Sequence, residues 1–119
     1  MVDLGILYKN GQGVKLDKKK TVKYYRMAAE RGYAQAQYNL GICFDAGDGV
    51  IQDHVEAFRF YKLAADQGHT RAEFNMGVAY ANGDGLEKDV AEAIRWYERA
   101  AAKGHEYAKA ALAKNRSLA

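Results

Sequence analysis

The stretch AQYNLGICFDAGDGVIQD, residues 36 to 53, returns 36 residues later as AEFNMGVAYANGDGLEKD, residues 72 to 89. The match has no gap. Extended outward, the same shift brings Leu4, Leu40, Met76 and Leu112 into register, then Tyr8, Phe44 and Tyr80, and Asp17, Asp53 and Asp89. The second half of the period repeats as well. Tyr24, Phe60 and Trp96 align, as do Tyr25, Tyr61 and Tyr97, and the pairs Ala28-Ala29, Ala64-Ala65 and Ala100-Ala101. All 12 glycines fall on four positions of the period, so glycine here belongs to the repeat and does not mark separate sites.

Within one period, residues 34 to 46 place Ala36, Leu40, Gly41 and Phe44 on one side and Tyr38, Ile42 and Asp45 on another. A spacing of three and four predicts a helix, here named helix A. Gly47 is placed to end it in a left-handed conformation, and the turn Gly47-Asp48-Gly49 leads to Asp53 as the N-cap of a second helix, B. Asp53 with Glu56, and Asp89 with Glu92, form capping-box pairs. In the first period three lysines follow Asp17, so the acidic partner is lost and helix B there is expected to start less firmly. Helix B ends near Gly68, and near Gly104 one period later. Glycine inside a helix costs about 1 kcal/mol relative to alanine. Gly41 and Gly77 are therefore expected where helix B of the same hairpin presses on the helix A backbone, with the large rings filling the remaining core.

The pattern Ala-x(3)-Leu-Gly-x(2)-Tyr-x(2)-Gly-x-Gly-Val-x(2)-Asp, followed by aromatic-Tyr-x(2)-Ala-Ala-x(2)-Gly, resembles the Sel-one-like repeat, a 36-residue relative of the tetratricopeptide repeat. The resemblance covers nearly the whole chain. It divides a single repeat domain into residues 1 to 35, lacking the start of helix A, full units 36 to 71 and 72 to 107, and a C-terminal capping helix over 108 to 119. It implies an all-α fold, a right-handed superhelix of stacked antiparallel helix pairs with helices A on the concave side. Secreted relatives bridge each helix pair with cysteines. Cys43 stands alone in this sequence, which sets the chain apart from that subclass.

Composition agrees with one globular unit. The chain has 119 residues, 49% of them apolar and 28% charged, and no apolar run approaches the ~20 residues of a membrane span. A net charge of +3 is too small to point to nucleic acid. The cluster Lys15, Lys18, Lys19, Lys20 and Lys23 reads as a solvated face without an aromatic stacking platform. A cytoplasmic location is the default expectation, since residues 1 to 5 do not open a signal-peptide core.

Catalytic and metal chemistry find little support. The Gly-x-Gly loops follow no strand and do not continue as a phosphate loop. Asp45, Asp48 and Asp53 miss the spacing of a calcium loop, and His54, His69 and His105 lack the close helical spacing of zinc ligands. No metal and no cofactor is expected. Cys43 sits inside a helix at a place filled by Leu7 and Ala79 in the other repeats, so it is not read as a nucleophile.

What remains is surface. By register the concave side shows Gln35, Tyr38, Asn39 and Ile42, with Asp45, in repeat two. Repeat three adds Arg71, Phe74, Asn75 and Val78, with Asn82, and Tyr107 and Lys114 extend the strip. The aromatic side chains are candidate anchors for a protein or peptide partner, and the Asn and Arg side chains candidate donors. The alternative is that Tyr38 and Phe74 pack between neighbouring helices A. The leading reading is a non-catalytic interaction scaffold or adaptor, a monomer or a weak dimer through its N-terminal repeat. One rival is a purely structural segment of a longer solenoid. The other is a hydrolase of the β-lactamase-like kind that the resemblance brings in, against which the single cysteine argues.

Overall fold

The computed structural model of the chain describes residues 17 to 118, and side chains as far as residue 114. The expectation about the first helix A falls on residues 1 to 16 and lies outside the described residues, as does the first half of the N-terminal repeat, residues 1 to 35, through which association is expected. Among the described residues six helices of equal length follow one another: α1 (Lys18–Glu30), α2 (Ala34–Ala46), α3 (His54–Asp66), α4 (Thr70–Asn82), α5 (Val90–Ala102) and α6 (Glu106–Leu118). No strand occurs among the described residues. Helices α2 and α4 are helices A, and α1, α3 and α5 are helices B. Each packs chiefly on its chain neighbours, most closely within the hairpins α2–α3 and α4–α5, and the stack measures 48 × 27 × 26 Å. This is an all-α solenoid, in which stability comes from each hairpin and the interface to the next.

The repeated residues explain why the hairpins close. Gly47 ends α2 with φ 69° and ψ 37°, and Gly83 ends α4 with φ 75° and ψ 36°. The chain then folds back along the helix it has just left. The amide of Asp53 donates to the Phe44 carbonyl at 2.9 Å, and that of Asp89 to the Tyr80 carbonyl at 2.9 Å. Because these N-cap amides already have a backbone acceptor, the capping boxes form only by half. Asp53 Oδ1 accepts from the Val55 and Glu56 amides at 3.0 and 3.1 Å, whereas the carboxylates of Glu56 and Glu92 turn to Arg59 and Arg95. At the start of α1 the cap persists without the acidic residue of the box: Asp17 Oδ1 accepts from the Lys20 amide alone at 3.0 Å, and the first turn carries no acidic side chain.

The mid-helix glycines lie where close packing requires them. A methyl group on Gly41 would stand 2.6 Å from Tyr61 Cε1, and one on Gly77 would stand 2.5 Å from Tyr97 Cε1. Each tyrosine ring lies directly on the helix A backbone. The second glycine of each loop has a different task, which its reading as a turn residue did not reveal. Gly49 (φ +80°) abuts the carbonyl of Lys18, and Gly85 (φ +80°) that of His54, so each loop rests on the start of helix B in the preceding repeat.

Between repeats, the alanine pairs serve the turns. Tyr33, His69 and His105 donate backbone hydrogen bonds to the carbonyls of Ala28, Ala64 and Ala100 at 3.3, 3.1 and 3.2 Å, a helix-ending arrangement that satisfies orphan carbonyls. The core runs along the stack. Tyr25, Leu40, Phe44, Phe60, Tyr61, Met76 and Trp96 are buried, with the Phe44 and Phe60 rings parallel at 5.8 Å, and Tyr97, Ala108 and Leu112 extend it to α6. Cys43 is buried within it.

Candidate functional site

Helices α2 and α4 stand side by side with α3 beneath them, and between them opens a cleft of about 430 Å3. Five of the residues expected on the concave side line it together: Ile42 and Asp45 from α2 and Phe74, Asn75 and Val78 from α4. All five are half-buried. The floor comes from helix B, through Phe58 and Tyr61, and the C-terminal end of the cleft is closed by Asp45, His54 and Asp84.

Gln35, Tyr38, Asn39 and Arg71 lie outside this cleft, nearer the N-terminal ends of the helices A. Gln35 Nε2 donates to Asn39 Oδ1 at 3.0 Å, one turn along α2. Arg71 is exposed. The Tyr38 ring stacks on the imidazole of His69 at 4.8 Å, and Phe74 repeats the contact with His105 at 4.6 Å. Both aromatic side chains thus pack against the next helix A and still keep part of their surface in solvent.

The two stacked histidines have a structural role. His69 Nδ1 accepts from the Ala72 amide at 3.2 Å, and His105 Nδ1 from the Ala108 amide at 3.1 Å, so each caps the helix it precedes. With Nδ1 accepting, the His69 proton resides on Nε2 and donates to Gln35 Oε1 at 3.0 Å. Burial holds the His69 imidazole below its ordinary pKa, and the charge of Arg71 acts in the same direction.

A polar group found only in repeat two sits at the C-terminal end of the cleft. Asp45 pairs with His54 Nδ1 at 2.8 Å through one carboxylate oxygen and accepts from the Tyr61 hydroxyl at 2.8 Å through the other. The hydrogen bond to Asp45 raises the His54 pKa, and the nearby charges of Asp45, Asp84 and Asp53 add to the effect. Burial, first, and the Asp45 carboxylate push the Tyr61 phenol well above its usual range. The register reading includes Asp45 but misses His54, Phe58, Tyr61 and Asp84. The available signal was departure from the repeat: Lys9 and Ala81 occupy the place of Asp45, and Lys18 and Val90 that of His54.

A carboxylate beside an imidazole is also found in hydrolytic sites, but here the cleft is lined by no Ser, Thr or Cys for it to activate. Among the described residues no three His, Cys, Asp or Glu side chains form a metal-binding group. No helix among them is long and apolar enough to cross a membrane.

The fold and the cleft define a helical-repeat solenoid with a groove along its helices A. The chain belongs to the Sel1 repeat family, whose model matches residues 1–33, 34–69 and 70–105. Among solved structures it is similar to a Sel1 repeat protein from Oxalobacter formigenes, at 40% identity and a TM-score of 0.88 over 93% of this chain and 46% of that one. It is also similar to c5321, a protective antigen of uropathogenic Escherichia coli with the SLR fold, at 40% identity and a TM-score of 0.88 over 90% of this chain and 23% of that one. The chain therefore spans less than half the length of either protein. Helicobacter pylori cysteine rich protein B shares the fold at 24% identity and a TM-score of 0.77, over 82% of this chain and 74% of that one. A search of curated proteins found no match. Sel1 repeat proteins are generally protein-interaction scaffolds, and the family is typically non-enzymatic.

Proposed function

We propose that this chain is a non-catalytic interaction module whose helices A hold a segment or face of another protein. One observation carries the reading: the cleft between α2 and α4 gathers Ile42, Phe74, Asn75 and Val78 over the rings of Phe58 and Tyr61. Apolar side chains left partly exposed in a concave site, with a few polar groups converging on it, are the usual makings of a recognition surface. Gln35, Tyr38, Asn39 and Arg71 extend this surface toward the start of the helices. Arg71 supplies a planar donor fork suited to a carboxylate or to backbone carbonyls.

Peptides selected from a random displayed library against the intact chain would test the proposal. Bound peptides are expected to slow amide exchange in residues 35 to 46 and 71 to 82. Slowing confined to α3 and α5 would move the binding surface to the outer helices and overturn it.

A further inference from the structure

The cleft that carries the proposed function also contains the features that choose its occupant. Its walls are aromatic and aliphatic, through Phe74, Ile42 and Val78, its floor carries the Phe58 ring, and its C-terminal end holds two carboxylates from successive repeats, Asp45 and Asp84. No lysine or arginine lines it, although the chain has 18 basic residues.

The neighbouring junction shows what such a carboxylate ordinarily meets. Asp48 occupies in repeat two the place that Asp84 occupies in repeat three, and Lys18 holds its ammonium 3.1 Å from Asp48 Oδ1. At the next junction the lysine is replaced by His54, which pairs instead with Asp45. Among the described residues no ion pair forms at Asp84, which is half-buried at the edge of the cleft. Asp45 uses one lone pair on each oxygen, for His54 and for Tyr61, and each oxygen can accept once more. With one carboxylate paired to the His54 imidazole, the site keeps the charge of Asp84 and the remaining acceptor capacity of Asp45 in a cleft of largely apolar walls.

We infer that the cleft between α2 and α4 takes an arginine side chain presented by a protein partner. The inference rests on the reading of this groove as an interaction surface. The aliphatic stem lies along Ile42 and Val78, past Phe74, the guanidinium plane meets the Phe58 ring, and the donor fork reaches Asp45 and Asp84. Arginine fits better than lysine because its planar, weakly hydrated cation stacks on rings and offers several donors in fixed directions, whereas an ammonium is a strongly hydrated point charge.

The test uses isotope-labelled intact chain and capped pentapeptides of alanine with a central arginine, citrulline or norleucine, followed by amide chemical shifts. Citrulline keeps the shape of arginine and removes its charge. The arginine peptide is expected to shift the amides of residues 45, 46, 78, 79, 84 and 85, and the citrulline peptide to bind at least about tenfold more weakly, because charge-assisted hydrogen bonds are the stronger kind. Asp84→Asn is expected to weaken the arginine peptide and to leave the norleucine peptide unchanged. Equal binding of all three peptides at these amides would overturn the arginine assignment and leave the interaction groove standing. Shifts confined to the outer faces of α3 and α5, or no shifts for any peptide up to its solubility limit, would overturn the assignment and count against the groove as well.

Discussion

Lys103, just beyond the end of α5, places its ammonium 3.0 Å from both carboxylate oxygens of Glu73, which is buried in α4. The same nitrogen donates to the Gly68 carbonyl at 2.8 Å. One repeat earlier the geometry recurs with neutral groups: Gln67 Nε2 donates to Gln37 Oε1 and to the Gly32 carbonyl, both at 2.9 Å. The two pairs are alternative solutions to one problem, tying the end of helix B to helix A and to the preceding turn.

Lys103→Met leaves the Glu73 carboxylate buried without its cation. A loss of about 1–3 kcal/mol is expected, the cost of an unsatisfied buried polar group. Glu73→Gln combined with Lys103→Gln installs the pair of repeat two and is expected to recover most of that loss. Urea unfolding of the single and double variants measures both; a double variant no more stable than Lys103→Met would show that the two pairs are not equivalent.

His69 gives folding a pH dependence whose sign follows from the burial of its imidazole. Its folded pKa lies below the ordinary value near 6.5, so between the two values the unfolded chain binds more protons. Its contribution is fully present above about pH 6.5 and is lost as the pH falls from there toward the folded pKa. His54, raised by Asp45, acts oppositely: its contribution is present below about pH 6.5 and is lost as the pH rises through its folded pKa. His69→Asn keeps a capping side chain and removes the titration, so the variant is expected to lose less stability than the parent between pH 6.5 and pH 5. Parallel stability curves for the two proteins would contradict the assignment.

The loop glycines separate contact from conformation. Gly32 and Gly49 both have positive φ, +89° and +80°. A methyl group on Gly32 meets nothing within 4 Å, whereas one on Gly49 would stand 2.6 Å from the Lys18 carbonyl oxygen. Gly32→Ala is expected to cost about 1–2 kcal/mol for its backbone conformation alone. Gly49→Ala adds overpacking of the inter-repeat contact, typically ~1–3 kcal/mol more. Equal losses in thermal unfolding would show that the loop does not bear on the preceding helix.

Much of the fold was legible because it is written three times. The 36-residue shift placed the helix boundaries, the left-handed Gly47 and the close approach of helix B at Gly41, since one packing solution had to suit every repeat, but it did not name the Tyr61 ring as the group that makes the contact. The capping boxes were over-read: Asp53 and Glu56 have the right spacing, but the loop supplies the Phe44 carbonyl to the amide that Glu56 was expected to reach. The site was legible only in part. Register found Ile42, Asp45, Phe74, Asn75 and Val78, but the pairing of Asp45 with His54 and Tyr61 depends on what one repeat does differently, and a shared pattern averages that away. Tyr38 and Phe74 belong to both readings considered for them, because each stacks on the histidine before the next helix A, His69 or His105, and still remains only half-buried.

The central claim is that binding takes place on the helices A, and calorimetric titration of a peptide selected against the parent chain tests it most directly. Tyr38→Ala and Phe74→Ala are the variants of the groove. Arg59→Ala and Arg95→Ala are the controls, since these arginines are exposed on the helices B, where they pair with Glu56 and Glu92. Phe74→Ala is expected to weaken binding by roughly 2 kcal/mol or more, as for an interface hot spot, and Tyr38→Ala by a similar amount where the peptide extends that far. The two arginine variants are expected to bind as the parent does. A peptide indifferent to Phe74→Ala and lost with Arg59→Ala or Arg95→Ala would contradict the account.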